Sequence, residues 1–178
     1  RGLELDWASW MELTWATVGR DLLISLAIND TGFYWGHRLL HHEALYPRFH
    51  KQHHDFKHPV AAAAEWAHPV EDLLCNIIPT IMGPYLLGSH LYVTCLWIFL
   101  RLWKALDAHS GYKLPFPLSI WHQWPGALSS ELHDFHHEVN MGCFGATTLF
   151  WDRVCGTDGA YNEMKKKKEK KKTKKKTN

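Results

Sequence analysis

The chain has 178 residues, 46% of them hydrophobic, which is enough for one folded domain with its own apolar core. Its formal net charge of +2 combines two regions of opposite sign. Residues 165–178 carry ten lysines against one glutamate, whereas residues 1–164 carry 10 lysines and arginines against 17 acidic residues. Because basic residues cluster only in the tail, the composition argues against a nucleic-acid-binding protein. We expect residues 161–178 to form a disordered, solvated lysine-rich tail.

The first predicted element is a membrane-associated helix within residues 1–30, in a chain that we interpret as a fragment because it begins with Arg1. An apolar stretch from Trp15 to Gly36 contains three charged residues, which make it a poor free-standing membrane span. We predict a helix there that carries the following histidines away from the membrane. Residues 31–160 would then form the main domain.

Histidine is the most informative residue type in the chain, because all 14 histidines lie within residues 37–137. Eight of them form three clusters whose spacing places side chains on one face of a helix, so each cluster is predicted to aim its rings at one point. Together they supply enough neutral nitrogen ligands for two metal ions with open coordination positions. The clusters are His37 and His41, then His50, His53 and His54, then His133, His136 and His137.

Residues 73–100, between the second and third clusters, contain no Asp, Glu, Lys or Arg. A bilayer span needs about 20 apolar residues. Pro79, Gly83 and Pro84 interrupt the stretch, and proline breaks or kinks helices. We therefore predict a helix over 70–82, a bend and a helix over 86–106. This hairpin, 73–106, would enter the membrane and return, leaving the second and third clusters on the same side.

Shorter elements are predicted around the clusters. Pro47 should end the helix that carries the first cluster, and a new helix near Arg48 should begin the second. Residues 111–130 read as a loop, and the third cluster follows on a helix from Ser129 to Glu138. The predicted fold is therefore all-α: an integral membrane helical protein with a histidine-rich di-metal site, capped by short helices, on the cytosolic face with the lysine tail.

Several motifs follow one another in an order that resembles the membrane fatty acid hydroxylase / sterol desaturase superfamily, over roughly residues 30–158. Within it the chain is most similar to C-4 methylsterol monooxygenases and related fatty-acid-hydroxylase-domain proteins. The motifs are HRLLHH at 37–42, HKQHH at 50–54, EWAHPVE at 65–71, HSGY at 109–112, HDFHH at 133–137, WD at 151–152 and GT at 156–157.

This resemblance implies a helical fold around two iron ions, with O2 as co-substrate and electrons from NAD(P)H through cytochrome b5 and its reductase. It implies the endoplasmic reticulum membrane, with the catalytic face and tail cytosolic, and it adds His109 of the HSGY motif as a ninth ligand. The implied activity is oxygen-dependent hydroxylation of a C-4 methyl group of a sterol. The alternatives are a fatty acyl or other lipid hydroxylase, a sterol desaturase, and a non-catalytic membrane protein that binds metal and lipid.

Other residues are candidates for supporting roles. The candidates for further ligands, or for acceptors that orient ligand rings, are His42, His68, Asp107 and Asp134. The candidates for lining a lipid cavity, which could equally be ordinary core, are Trp66, Tyr112 and Phe135. The remaining histidines, interpreted as packing or surface residues, are His58, His90 and His122. Lys175 and Lys176, fourth and third from the end, resemble a dilysine retrieval signal.

Overall fold

A computed structural model describes residues 13–121, 124 and 126–177, with only the backbone for 175–177. In this part of the chain the fold is all-α without strands, as predicted, and one isolated β-bridge joins Ala127 to Thr148. The α-helices are α1 Trp15–Leu40, α2 Pro69–Glu71, α3 Ile78–Leu87, α4 Leu91–Ala108, α5 Ser130–Val139, α6 Phe150–Cys155 and α7 Gly159–Thr177. Shorter segments are the π-helices Tyr46–His50 and Asp72–Ile77 and the 3-10 helices His53–Asp55 and Ala61–Glu65.

Helix α1 begins at a capping box, in which Thr14 accepts from the backbone N–H of Thr17. It runs without a break past residue 30, where the predicted N-terminal element ends, and it stops at Leu40. The prediction that Pro47 ends this helix is wrong. Pro47 instead lies in the first turn of the next helical segment, where its missing N–H has no intrahelical partner to lose. Of the predicted N-terminal helix, residues 1–12 lie outside the described part.

The predicted helical hairpin is present, but it turns later than expected. Helix α2, the π-helical segment and α3 are continuous from residue 69 to 87, and the chain reverses at Gly88, whose φ is +58°. The bend predicted between residues 82 and 86 is therefore wrong. Pro79 sits in the first turn of α3. Pro84 cannot donate to the carbonyl of Thr80, and Trp97 Nε1 on α4 donates to that oxygen instead, at 2.8 Å.

Small residues let α1 and the first arm of the hairpin pack unusually closely. A Cβ on Gly83 would lie 2.6 Å from Ser25 Cα, and one on Gly36 would lie 2.9 Å from Cys75 Sγ. Both positions therefore require glycine. The contact fixes the end of α1, which carries the first histidine cluster, against the segment that follows α2.

Among the described residues, no helix combines the length and apolar character needed to cross a bilayer. The transmembrane helix that the sequence predicted is therefore not found among these residues. Helix α4 has 18 residues but includes Arg101, Lys104 and Asp107, which are all buried.

The lysine-rich segment is helical rather than disordered over the described residues. Helix α7 spans Gly159–Thr177, and lysine is a good helix former where nothing competes with the backbone. Its first turn is anchored by Tyr161, which is buried against Phe135 with ring centroids 5.4 Å apart. The side chains of Lys175 and Lys176 lie outside the described part, so the retrieval signal stays a prediction.

Candidate metal centre

The nine histidines predicted as ligands meet in two neighbouring groups, in each of which the candidate ligand atoms lie within 4.8 Å of one another. We call the first group site A: His37, His41, His50, His54 and His136. We call the second group site B: His53, His109, His133 and His137. The two sites touch, because the rings of His54 and His137 have centroids 4.5 Å apart.

Each HxxHH cluster is divided between the two sites, so the expectation that one cluster aims at one point is wrong. On α5, His133 and His137 belong to site B and His136 belongs to site A. Successive residues of a helix are about 100° apart, so positions i and i+4 share a face while i+3 and i+4 diverge. The same division places His50 and His54 in site A and His53 in site B. Each of the two HxxHH clusters therefore supplies candidate ligands to both sites.

The ligand rings are held as neutral imidazoles. Eight of the nine histidines are buried, with His41 partly exposed. Burial lowers the pKa of every ring in both sites, and it brings the pKa of His41 and His53 to about 4 and that of His109 to about 3. In most of the rings the proximity of other histidines lowers the pKa further. Neutral imidazole is the form that binds metal ions.

The distances between ring nitrogens match those between ligands of one metal ion. In site A, His50 Nε2 lies 2.9 Å from His41 Nε2 and 3.1 Å from His54 Nε2. In site B the corresponding Nε2–Nε2 distances run from 2.9 to 3.3 Å. Two ligands at right angles, each about 2.1 Å from a metal ion, are about 3.0 Å apart. The Nε2 atoms thus converge as ligand atoms do.

Outward hydrogen bonds set the tautomers of three of these rings. His37 Nδ1 donates to Phe144 O at 3.0 Å, His136 Nδ1 donates to Gly142 O at 2.6 Å, and His109 Nδ1 donates to a carbonyl of its own helix at 2.8 Å. Because a carbonyl only accepts, each neutral ring keeps its Nε2 lone pair for the site. His37 Nε2 and His136 Nε2 are buried and have no partner in the part of the chain that the structure describes. The donor set therefore fits two transition-metal ions.

The loop of residues 142–148, which supplies two of these carbonyls, is itself held by Asp152. This fully buried carboxylate accepts from the backbone N–H of Phe144 and Gly145, each at 2.9 Å, and from Thr157 Oγ1 at 2.6 Å. The Trp-Asp and Gly-Thr motifs at 151–157 thus close the chain over site A. In the sequence, Asp152 was noted only as part of the Trp-Asp motif, and no role was predicted for it.

Asp30 on α1 holds the other end of this loop. Its buried carboxylate accepts from the backbone N–H of Thr147 at 3.2 Å and of Thr148 at 2.9 Å. Asp30 lies two helical turns before His37, so one face of α1 carries both a candidate ligand and a clamp for the loop. No spacing in the sequence links residue 30 to residue 147, so this role could not be predicted.

Glu71 is a third buried carboxylate at the centre. It lies at the end of α2 with its Oε1 2.8 Å from His50 Nδ1. Burial, with the nearby Asp72 charge adding to it, raises the pKa of the Glu71 carboxyl to about 9. The HPVE sequence therefore places a carboxyl group against the back of a site A ring, a role that the sequence did not indicate.

The other candidates for supporting the ligands lie outside both groups. His42 and His68 each accept from a backbone N–H two residues further along and so shape the local chain. Asp134 lies 3.2 Å from the exposed ring of His58. Asp107 is buried near a lysine of its own helix, at 3.9 Å. The groups that hold ligand rings are mainly carbonyls and Glu71, not these aspartates.

An apolar cavity of about 230 Å³ adjoins both sites. Four ligand rings line it, from His37 of site A and from His53, His109 and His133 of site B. Much of the remaining wall comes from the two arms of the hairpin, including Ile77 and Ile98, for example. A ligand in this cavity would contact apolar side chains and the candidate metal centre together.

The residues predicted to line a lipid cavity are found elsewhere. Phe135 is buried in the core against Tyr161, because it points away from the site-facing histidines of α5. Trp66 and Tyr112 are 49% and 71% exposed, and Trp66 Nε1 donates to Asp55 at 3.2 Å. None of the three lines the cavity beside the centre.

The fold and the site together define a class: helical proteins in which histidine clusters build a centre suited to two metal ions beside an apolar cavity. The sequence model of the family described as fatty acid hydroxylase matches residues 22–157, a span that contains all nine histidines of the two sites. The chain belongs to the fatty acid hydroxylase family.

Relatives of known name differ in the reactions that their names describe. Methylsterol monooxygenases 2-2 and 2-1 of Arabidopsis thaliana are both 37% identical, over 88% of this chain and 59% and 62% of their own lengths. A very-long-chain aldehyde decarbonylase, GL1-11 of Oryza sativa subsp. indica, is 37% identical over 85% of this chain and 57% of its own length. The chain thus spans a little over half the length of these relatives. No solved structure matches it significantly.

Proposed function

We propose that the chain carries the catalytic core of an oxygen-dependent, di-iron lipid oxidase that hydroxylates a C-4 methyl group of a sterol. The observation that carries the proposal is the junction of two all-histidine sites with one apolar cavity. The similarity to methylsterol monooxygenases supports the choice of substrate.

The residues of sites A and B would hold one iron ion each. When bound, the iron pair would supply the activation of O2 for attack on an inert C–H bond, a chemistry that side chains alone cannot provide. All-imidazole coordination is compatible with iron, and neutral rings need lose no proton when they bind it. The charge and geometry of the donor set therefore support this assignment.

The protein would contribute orientation and exclusion of water. Asp152 and Asp30 fix the loop whose carbonyls hold the rings of His37 and His136. Glu71 supports the ring of His50. The apolar wall of the cavity would keep bulk water from the reacting carbon, and a fixed ligand frame would spare reorganisation during the reaction.

The cavity is smaller than the roughly 300–1,000 Å³ of typical small-molecule sites. We propose that it encloses only the reacting part of the lipid, with the remainder along the exposed apolar side chains of the hairpin. Those side chains include Leu74 at 50%, Tyr85 at 82%, Leu86 at 65% and Phe99 at 59% exposure. The same surface would contact the membrane.

We further propose the endoplasmic reticulum membrane as the location, with the centre and the lysine-rich helix on the cytosolic side. Electrons would come from NAD(P)H through cytochrome b5 and its reductase. The strongly basic α7 supports contact with anionic lipid headgroups, at about 1 kcal/mol for each lysine near the surface.

Metal analysis tests the centre. Protein purified anaerobically from membranes should contain close to two iron atoms per chain, as two sites predict. Folded protein that holds one zinc and no iron would overturn the proposed oxygen chemistry.

Lipid analysis tests the substrate. Cells without the full-length protein should accumulate 4-methylated sterols. The second candidate is a hydroxylase or related oxidase of fatty acyl lipids, favoured by the equal identity to an aldehyde decarbonylase. Accumulation of unmodified fatty acyl lipids, with normal 4-methylsterols, would select that candidate and leave the metal centre intact.

A further inference from the structure

A buried cation, Arg101, lines the cavity beside the candidate centre. It lies on α4, two turns before His109, or about 12 Å along the helix axis. Arg101 is buried, with only 8% of the residue exposed. Among the described residues it makes one long hydrogen bond, from Nη2 to Asn76 Oδ1 at 3.5 Å, and its buried Nε has no partner. A guanidinium group has five N–H donors, so most of this capacity is unused.

Four acidic residues lie nearby: Glu65, Glu71 and Asp72 line the same cavity, and the charges of Asp30 and Glu65 reach Arg101. Asp30 accepts from the backbone of the 142–148 loop, and Glu71 lies against His50. Among the described residues, no carboxylate lies within ion-pair distance of Arg101. The guanidinium lies over the Phe33 ring, 5.3 Å from its centroid, a contact that stabilises a cation but does not neutralise it.

Buried N–H donors are costly when they lack acceptors. Arg101 lines the cavity, so a ligand there can bring the acceptors that its unused donors lack. A carboxylate fits best, because the planar guanidinium donates two parallel hydrogen bonds to its two oxygens. A single hydroxyl oxygen cannot match this paired geometry.

We propose that Arg101 binds the carboxylate of a lipid that occupies the cavity beside the histidine sites. This inference rests on the proposed function in one respect only, that the cavity holds a lipid. The carboxylate could belong to a long-chain fatty acid or to a sterol carrying a carboxyl group at C-4. Arg101 would then determine specificity by selecting acids over the corresponding alcohols.

Matched ligands test the proposal on the wild-type, metal-free protein in detergent micelles at neutral pH. One pair is hexadecanoic acid and hexadecanol, and the other is a 4-carboxysterol and its 4-hydroxymethyl analogue. Titration calorimetry should show the acid binding roughly 10- to 100-fold more tightly than the alcohol in at least one pair, the range expected for hydrogen bonds to a charged group. The pair that shows the preference identifies the source of the carboxylate. Equal binding within both pairs overturns the proposal.

Variants then assign the preference to one side chain. Arg101→Gln should abolish it, whereas Arg101→Lys should retain part of it. Lys104→Gln is the matched control, since Lys104 is a buried cation one turn further along α4 that instead donates to Leu128 O at 2.7 Å. A preference that persists in Arg101→Gln contradicts the assignment. If Arg101→Gln does not fold, the wild-type ligand pairs and Arg101→Lys still decide.

The outcome separates this inference from the proposed function. Binding by metal-free protein needs neither iron nor oxygen, so an acid preference stands even if no sterol is turned over. Iron-loaded protein that oxidises a sterol but shows no acid preference would overturn the role of Arg101 alone. A protein that binds no lipid of any kind would overturn both.

Discussion

His37 Nδ1 donates to the carbonyl oxygen of Phe144, 107 residues further along the chain, at 3.0 Å. The backbone N–H of the same Phe144 donates to Asp152. The backbone of Phe144 therefore links the carboxylate of Asp152 to the ring of His37, so that Asp152 helps to fix where this candidate ligand lies. Groups that orient ligands in this way commonly change metal affinity by about 10- to 100-fold when they are removed.

Asp152→Asn should weaken metal binding without removing any ligand. The amide cannot accept from Phe144 and Gly145 as a carboxylate with two acceptor oxygens does, so the loop and the ring of His37 lose their fixed position. We expect roughly 10- to 100-fold weaker binding of Co²⁺ to the metal-free protein, followed by absorption spectroscopy, with helical content preserved. Asp134→Asn, at a partly exposed aspartate that lies against the exposed ring of His58, is the control. Equal effects of both variants would contradict the role of Asp152.

Substitution of one ligand from each site should affect the metal content of that site. His53→Ala removes a ring from site B and His136→Ala removes one from site A. Each variant should lose at least one of two bound metal ions and its turnover, measured by elemental analysis and by oxidation of the lipid substrate. His58→Ala, at the surface, should keep both. Severe loss in all three would show that the two groups do not describe the centre.

Trp97→Phe should destabilise the hairpin because it removes the donor to one backbone carbonyl. Trp97 donates to Thr80 O, which Pro84 leaves without its helical donor. Removing the indole N–H leaves a part-buried acceptor without this donor, which costs up to about 1–3 kcal/mol of the free energy of unfolding. Chemical denaturation measures this cost.

A double-mutant cycle checks the mechanism. Pro84→Ala restores a backbone N–H to α3 that can reach the carbonyl of Thr80. The cost of Trp97→Phe should therefore be smaller in the Pro84→Ala background than in the wild type. If the two costs simply add, the indole acts through packing and not through the hydrogen bond.

The metal-free protein should lose stability as the pH falls below about 6.5, the pKa of histidine in an unfolded chain. Burial lowers the folded-state pKa of His41 and His53 to about 4 and of His109 to about 3, so these rings stay neutral when folded but bind protons when unfolded. Between pH 6.5 and its folded-state pKa, each ring lowers the free energy of unfolding by up to about 1.4 kcal/mol for each pH unit of acidification.

Glu71 acts with the opposite sign. The pKa of Glu71 is about 9 in the folded protein, against 4.5 for an ordinary glutamate. The stability that Glu71 contributes is therefore lost as the pH rises from 4.5 toward 9. Burial also raises the pKa of Asp30 and Asp152, which therefore act in the same direction as Glu71. Three carboxyl groups offset only part of the effect of nine histidine rings, so the net effect of acidification remains destabilising. Urea midpoints at pH 8, 7, 6 and 5.5 measure the balance. A flat profile would mean that the metal-free fold does not bury its rings as neutral groups.

The dilysine prediction can be tested separately. Changing both Lys175→Ser and Lys176→Ser in the full-length protein, fused to a reporter that leaves the C-terminus free, should let it spread beyond the endoplasmic reticulum. Lys170→Ser with Lys171→Ser removes the same charge from α7 and serves as the control. Unchanged localisation of the first variant would leave the lysines as a basic surface only.

The sequence was sufficient where residues act through local spacing. The all-α class, the hairpin and the α5 helix were predicted from the spacing of the histidines and from the run without charged residues. The sequence was insufficient where partners are distant. No residue pattern near Asp30 predicts its hydrogen bond to a loop more than a hundred residues away.

Local rules also failed where tertiary contacts compensate for them. Proline predicts a break, yet Pro84 continues a helix because Trp97 satisfies the carbonyl that it leaves free. A lysine run predicts disorder, yet α7 forms behind the buried anchor of Tyr161. In both cases a contact outside the segment decided its structure.

The clamped loop at 142–148 has a consequence for the order in which the chain is made. A nascent chain that ends at residue 140 already contains all nine imidazoles of sites A and B. It lacks the carbonyls that fix two of the rings, and it lacks the aspartate that holds those carbonyls in place. Ions that reached the rings during synthesis would meet a loose set of nitrogens with little geometric selectivity. Only after residue 157 has left the ribosome can the centre discriminate between metals by shape.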